Sequence, residues 1–381
     1  MRVILSGALP RPEEKTPASR ERNPRVNPSG ALPRPEEKTP ASRERNPRVN
    51  LSGALPRPEE RTPASRERNP RVSVVICAYT LDRWDQLVLA VGSLGHQRPD
   101  HETIIVIDHN DELFARASAT WPQHRVVANT GARGLSSGRN TALAIATGDI
   151  VAFLDDDAWA EPGWLERLVA GFTGPEVVAV GGSAAPIWPD DPPAALPEEL
   201  LWIVGCSYRG LPEQAGPIRN VMGCSMAFRR DPLMRIGGFN PDTGRIGKLP
   251  IGCEETEACI RLRQTDPAAV ARYEPAARVR HHVSADRTVI GYVLSRSWCE
   301  GLSKAALART LGPQSALSSE SAYATRVLPA GFWRELRSGS PTGAFAIVLS
   351  LAAATAGYAR GRLAPVRPGA RRDPVVAPVL T

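Results

Sequence analysis

Asp149-Ile-Val-Ala-Phe-Leu-Asp-Asp-Asp157 is the stretch on which the fold turns. An apolar, β-branched run of this length reads as a strand covered on both faces, and here it ends on three consecutive carboxylates. Working outward, the same kind of run recurs at Val72-Ser-Val-Val-Ile-Cys-Ala78, Thr103-Ile-Ile-Val-Ile-Asp108, Arg125-Val-Val-Ala128 and Glu176-Val-Val-Ala-Val180. Between the runs lie amphipathic stretches of helical length at 84–94, 136–147 and 162–172. The last has Pro162 in its first turn and Trp164, Leu165, Leu168 and Val169 along one side. Strand and helix in alternation predict an α/β fold, a mixed, mostly parallel sheet with helices on both faces.

The chain has 381 residues, and 42% hydrophobic content suffices for a sizeable core. Its first 72 residues are three near-identical copies of one Pro-rich segment, starting at Ser6, Ser29 and Ser52. The copies hold almost no large apolar residue, so stacking them buries no core, and 1–71 reads as a disordered Pro/Arg/Glu-rich tail. A duplicated leader, a start codon placed too early and a partner-binding tail all fit that pattern. The first 72 residues carry 16 basic and 9 acidic residues, the whole of the net charge of +7. The remainder is neutral by count, which excludes a basic nucleic-acid-binding body. Six cysteines (Cys77, Cys206, Cys224, Cys253, Cys259, Cys299) form no CxxC pair, and no signal-peptide pattern opens the chain. Both features predict a cytoplasmic protein without a structural zinc site.

Beyond Gly181 the pattern is irregular and Pro-rich until an apolar run at 221–228. A helix follows at 253–263, with Glu257 and Arg261 spaced to pair, and another at 286–310. On the second, Arg296, Glu300 and Lys304 form a stripe that reads as a solvated, ion-paired face. Residues 343–359 form an uncharged stretch between Arg337 and Arg360. At about 1.5 Å per residue it reaches roughly 26 Å, short of a bilayer core of ~30 Å. A membrane-surface helix, a buried helix and a span are all compatible with it.

In open α/β sheets ligands bind beyond the carboxyl ends of the strands. Those ends carry Ala78-Tyr79-Thr80, Asp108-His109-Asn110, the loop 129–134 and Asp155-Asp156-Asp157. Gathering three carboxylates is costly unless a cation removes the repulsion. Hard oxygen donors point to Mg²⁺ or Mn²⁺, with coordination positions left for substrate phosphates. Acids that merely cap the next helix are the plainer alternative. Gly131-Ala-Arg-Gly-Leu-Ser-Ser-Gly-Arg-Asn140 lacks the dinucleotide and P-loop fingerprints, yet it offers an anion a helix start. Together with the acids, it suggests a diphosphate held between metal and helix end.

The series Val74-Val-Ile-Cys-Ala-Tyr79, Val106-Ile-Asp108, Gly138-Arg-Asn140, Phe153-Leu-Asp-Asp-Asp157, Gly237-Gly-Phe239 and Cys253-Glu-Glu-Thr-Glu257 resembles the family 2 glycosyltransferases over about 72–282. The resemblance implies the A-type glycosyltransferase fold, a nucleotide-diphosphate sugar donor and inversion by direct displacement. It divides the chain into a nucleotide-sugar-binding half at 72–180, an acceptor-binding half at 181–285 and a helical extension at 286–381. It implies that Ala78 and Tyr79 line the base site, that Asp108 bonds the base, and that Arg139 and Asn140 lie near ribose and diphosphate. Asp155, Asp156 and Asp157 belong to the donor site, with Asp155 and Asp157 the family's Asp-x-Asp pair and the metal's ligands. The general base falls on Glu254 or Glu255, with Glu255 the choice, since a sugar hydroxyl is a weak acid whose proton must be taken. Similar enzymes add a His as a metal ligand. Alternation along 278–283 puts His281, rather than His282, on the face of Val279 and Val283, though a plain core histidine fits the same pattern.

Trp188 and Trp202 offer either sugar platforms or core. The stretch 297–304 lacks the Gln-x-x-Arg-Trp of processive relatives, which implies transfer of one sugar per encounter. The expected acceptor is a carbohydrate or a lipid-linked hydroxyl, at the inner face of the cell membrane if 343–359 docks there. A lapsed nucleotide-sugar-binding protein and a nucleotidyltransferase are the rival readings.

Overall fold

The computed structural model describes residues 69–98, 100–243, 252–317 and 320–363. The tail expected over 1–71 lies outside them except for 69–71. Among the described residues, nine strands form one sheet: β1 (Val72–Ala78), β2 (His101–Ile107), β3 (Arg125–Ala128), β4 (Ile150–Asp155), β5 (Ala158–Ala160), β6 (Val177–Ile187), β7 (Gly216–Ile218), β8 (Ser225–Arg229) and β9 (Val270–His282). Their order is β3-β2-β1-β4-β8-β6-β9-β5, and β7 also pairs with β9. The first four in that order are mutually parallel, β8 runs antiparallel to both its neighbours, and β6 and β9 are parallel.

Alternation along the strands sorts the core into two faces. From β1, Val74 and Ile76 join Ile105 and Ile107 under helices α1 (Trp84–Leu94), α2 (Asp111–Thr120) and α4 (Trp164–Ala170). Val75 on the opposite face joins Ile104 and Val106 under α3 (Leu135–Ile145), α5 (Arg230–Arg235) and α6 (Glu254–Thr265). Burying each such side chain stabilises the fold by about 1.5–3 kcal/mol. A cluster of aromatic rings anchors the second face. Phe239 meets Phe153 at 5.3 Å and Phe228 at 5.7 Å, both edge to face. Gly237 and Gly238, at φ 81° and 71°, make the turn that delivers Phe239.

The structure departs from the sequence reading in four places. Helix α2 was not foreseen, because only Leu113 and Ala117 of its residues are buried. Strand β6 does not stop at 180 but continues to Ile187 through Gly181-Gly182, across the division placed between 180 and 181. A Cβ on Gly182 would sit 2.3 Å from the Ala277 carbonyl, so glycine here permits close approach of β9. Strand β9 begins at Val270, well before the alternating stretch read at 278–283, with an irregularity opposite Gly182 and Ser183. The helix expected from 286 begins at Ile290, as α7 (Ile290–Thr310).

After α7 come α8 (Pro313–Leu317), α9 (Glu320–Ala322), a π-helical turn at Tyr323–Val327, α10 (Leu328–Arg337) and α11 (Pro341–Leu363). Helix α11 outruns the 343–359 stretch and is long and apolar enough to cross a membrane by length and composition. One of its faces is closed against α7: a Cβ on Gly357 would fall 2.2 Å from the Trp298 carbonyl, and one on Gly301 of α7 2.1 Å from that of Ala354.

Candidate active site

The carboxyl ends of β1, β2 and β4 open into a cavity of about 1020 Å³ whose wall includes Ala78, Tyr79, Asp108, Arg139, Asp155, Asp156, Asp157, Glu254, Glu255 and His281. Of the residues that the resemblance assigns to donor, metal and base, Asn140 does not line it. Residues 124 apart in sequence meet because β5 pairs antiparallel with β9, setting Ala158 opposite His281. The His282 N–H then bonds the Asp157 carbonyl at 2.8 Å, and His281 Nε2 lies 3.1 Å from Asp157 Oδ1.

The ligand atoms of Asp155, Asp157 and His281 all lie within 4.8 Å of one another. Burial alone would raise the Asp157 pKa, but His281, Arg83 and Arg287 hold it well below the usual carboxylate range. Burial would likewise lower His281, yet Asp157 overrides it and raises its pKa to about 10. Asp156 faces differently: Arg83 holds its Oδ1 at 2.8 Å, while its buried Oδ2 has no hydrogen-bond partner. Burial pushes Asp156 up to about 7 against the pull of Arg83. Two carboxylates and one imidazole at this spacing fit a divalent cation.

Asp108 organises the loop beyond it. Its Oδ2 accepts the Gly134 N–H at 2.9 Å and its Oδ1 the Asn129 amide at 2.6 Å. Asn129 Oδ1 in turn accepts from the Gly131 N–H and from the hydroxyls of Ser137 and Thr141. This lattice fixes the entry to α3. Asn140 on α3 spends its amide on the Phe239 backbone, donating at 2.7 Å and accepting at 2.8 Å. Arg139 is wholly buried, donating to Glu254 at 2.8 Å, to the Gly223 carbonyl at 3.0 Å and to Asp155 at 3.3 Å. Its guanidinium also lies over the rings of Phe153 and Phe239.

Cys253 sits at φ 80°, a left-handed conformation that a non-glycine residue adopts at a cost, and turns the chain so that Glu254 and Glu255 open α6. Glu254 is neutralised by Arg139. Glu255 is half-buried beside it, and burial together with Glu254 pushes its pKa up to about 8.

Several site residues carried no sequence signal. Arg83 reaches Asp157 at 3.1 Å and Arg287 at 3.7 Å, each from a short helical turn just past a strand. The stripe Arg296, Glu300 and Lys304 is not a solvated face. It turns inward to the cavity, Lys304 being 7% exposed, because the apolar face of α11 covers the outer side of α7. Heptad-like charge spacing is the same on an inward and an outward face, so only the packing distinguishes them. Trp202 lines the cavity, whereas Trp188 packs in the cluster around Leu200 and Ile203.

Residues 73–237 match the family described as glycosyl transferase family 2. A glucosyl-dolichyl phosphate glucuronosyltransferase of Haloferax volcanii is 37% identical over 237 residues, covering 61% of this chain and 75% of that protein. A pre-mycofactocin glycosyltransferase of Mycobacterium tuberculosis is 32% identical over 150 residues, 39% of this chain and only 30% of that protein. In fold, the chain resembles a Pyrobaculum calidifontis mannosyltransferase solved with GDP-Man and Mn²⁺, at a TM-score of 0.52 and 19% identity over 76% of this chain and 88% of the other. With its acids at the end of β4 and a second acid pair opening α6 on one cavity, the chain belongs to glycosyltransferase family 2, is a glycosyltransferase and carries the A-type glycosyltransferase fold.

Proposed function

We propose that this protein is a metal-dependent, inverting glycosyltransferase that moves one sugar from a nucleotide-diphosphate donor to a hydroxyl of a lipid-linked acceptor in cell-envelope glycan or glycolipid synthesis. The observation that carries the reading is the convergence of Asp155, Asp157 and His281 on the same cavity wall as Glu255. The half at 72–180 binds the donor and 181–285 supplies the acceptor side, while the described part of the 286–381 extension contributes further cavity wall.

Ala78 and Tyr79 line the base, and Asp108 holds the loop on which base and ribose rest. Arg139 and Asn140 act one layer behind, Arg139 fixing Asp155 and Glu254, Asn140 fixing Phe239. Asp155, Asp157 and His281 hold Mn²⁺, or Mg²⁺ less tightly, and the ion when bound supplies Lewis-acid stabilisation of the departing diphosphate. Asp156 keeps Arg83 beside the same phosphates. Glu255 accepts the proton of the attacking hydroxyl, and a pKa raised to about 8 brings its basicity nearer that of the weak acid it serves. Glu255 and the donor-site acids line one cavity, and direct displacement there, with attack opposite the leaving diphosphate, inverts the anomeric carbon.

The lipid-linked acceptor is supported by the dolichyl phosphate in the name of the Haloferax relative and by the uncovered apolar face of α11. That face supports a position of the enzyme at the inner surface of the cell membrane. A donor panel with Mn²⁺, read by release of nucleoside diphosphate, tests the reading. Release of pyrophosphate instead, or full transfer by Asp157→Ala, overturns it.

A further inference from the structure

The cavity has a further stretch of wall, here called its second compartment, that the donor chemistry leaves unused. Beyond Glu255 its wall changes to Tyr208, Leu211, Tyr323, Val327, Leu351 and Tyr358, contributed largely by the extension. Leu351 lines this wall and is also 38% exposed. Leu351 thus borders both the cavity and the surface of α11, where Phe345 and Val348 are 62% and 49% exposed.

Three cations stand inside it against two carboxylates. Lys304 Nζ lies 2.8 Å from Glu320 and 3.4 Å from Glu300, Arg219 also pairs with Glu320, and Arg296 donates to Glu300 at 2.8 Å. The Arg296 guanidinium lies over the Trp202 ring at 5.5 Å, and its Nε is buried with no hydrogen-bond partner among the described residues. An uncompensated positive charge and an orphaned N–H in an apolar pocket cost free energy unless an anion completes them. Glu300 also touches Cys253, two residues before Glu255, at 3.4 Å, so this basic cluster adjoins the proposed base.

We propose that the second compartment is the acceptor site and that it takes a phosphate carrying a long hydrocarbon chain. The phosphate sits against Arg296 and Lys304, and the chain leaves through the mouth beside Leu351 into a bilayer lying on α11. The sugar on that phosphate then presents its hydroxyl to Glu255. Arg296 lines the cavity with its guanidinium held over the Trp202 ring. The inference rests on the reading of Glu255 as the base, but it is tested by binding alone.

Calorimetry on the full chain with farnesyl phosphate, farnesol and inorganic phosphate separates the two contributions. Farnesyl phosphate is expected to bind more tightly than either fragment. Arg296→Gln and the mouth variant Leu351→Glu should each weaken it about tenfold or more, the loss of one charged hydrogen bond or of a chain contact. Binding of guanosine or uridine diphosphate with Mn²⁺, measured on the same samples, reports the fold and the donor site independently. Should Arg296→Gln lose both ligands through misfolding, Leu351→Glu, at an exposed position, decides alone. Equal binding of farnesyl phosphate by native protein and Leu351→Glu, or affinity for farnesol matching that for farnesyl phosphate, overturns the acceptor site while leaving the donor reading intact.

Discussion

Arg139 and Glu254 form a buried ion pair at 2.8 Å that ties α3 to the first residue of α6, and a second bond from Arg139 to Asp155 carries the tie to the end of β4. One guanidinium thus fixes the distance between the acids assigned to the donor and those assigned to the acceptor. Burial would weaken its charge, but Glu254 and Asp155 more than restore it. Arg139→Met strands Glu254 as an uncompensated buried charge, a change that costs about 3–5 kcal/mol. Thermal unfolding should show that loss, and adding Glu254→Leu should recover much of the stability without recovering transfer. Additive losses in the double variant would show that the two residues do not act as a pair.

Removing the imidazole from the acid cluster should weaken the metal more than it weakens the fold. His281→Ala is expected to lower Mn²⁺ affinity on the order of 10–100-fold in calorimetric titration and to narrow the preference for Mn²⁺ over Mg²⁺. Asp157→Asn should abolish tight metal binding outright. Unchanged Mn²⁺ isotherms in both variants would place the ion elsewhere.

The raised pKa of Glu255 sets the pH dependence. A base must be deprotonated to act, so kcat/KM should climb with pH up to a midpoint near 8. Glu255→Gln should remove that limb along with about 10²–10⁴-fold of the rate, while nucleoside diphosphate binding persists. Stability moves the other way. The folded group keeps its proton to about 8 while the unfolded one releases it near 4.5, so native stability falls as pH rises across that window. Glutamine escapes the loss, and the variant should melt above the native protein at about pH 9 but not at about pH 4.

Gly238→Ala probes the turn that delivers Phe239. The new Cβ would lie 2.4 Å from Asn140 Oδ1, at a backbone φ of 71° that alanine resists. A loss of about 2 kcal/mol in denaturant unfolding is expected. Activity measured well below the melting temperature should fall as well, because Asn140 holds Phe239 on the ring face that Arg139 covers.

Much of the fold was legible because its signals are local. The buried strands β1, β2 and β4 announce themselves as unbroken apolar runs, as does the short edge strand β3, and Asp155 to Asp157 stand out because like charges gather only where something rewards it. Helix α2 had a signal that periodicity obscured: Asn110 caps it by accepting the Leu113 N–H, and Asp111 and Glu112 fill its first turn. Strand β6 past Gly181 had none, since glycine argues against a strand unless a neighbouring backbone needs the space.

The sequence by itself determined the family, the strand ends that bear the acids, and the pair Glu254-Glu255, since each is written in consecutive or periodically spaced residues. Alternation already favoured His281 over His282, but only the tertiary structure decided that it meets Asp157, that Arg139 is a strut between two acids, and that Arg296, Glu300 and Lys304 face a cavity. Those outcomes depend on strand register and on which side of a helix another helix covers. Neither is fixed by spacing along the chain, because a charge on a helix costs little in water and a great deal in a pocket, and the packing of distant segments selects between the two.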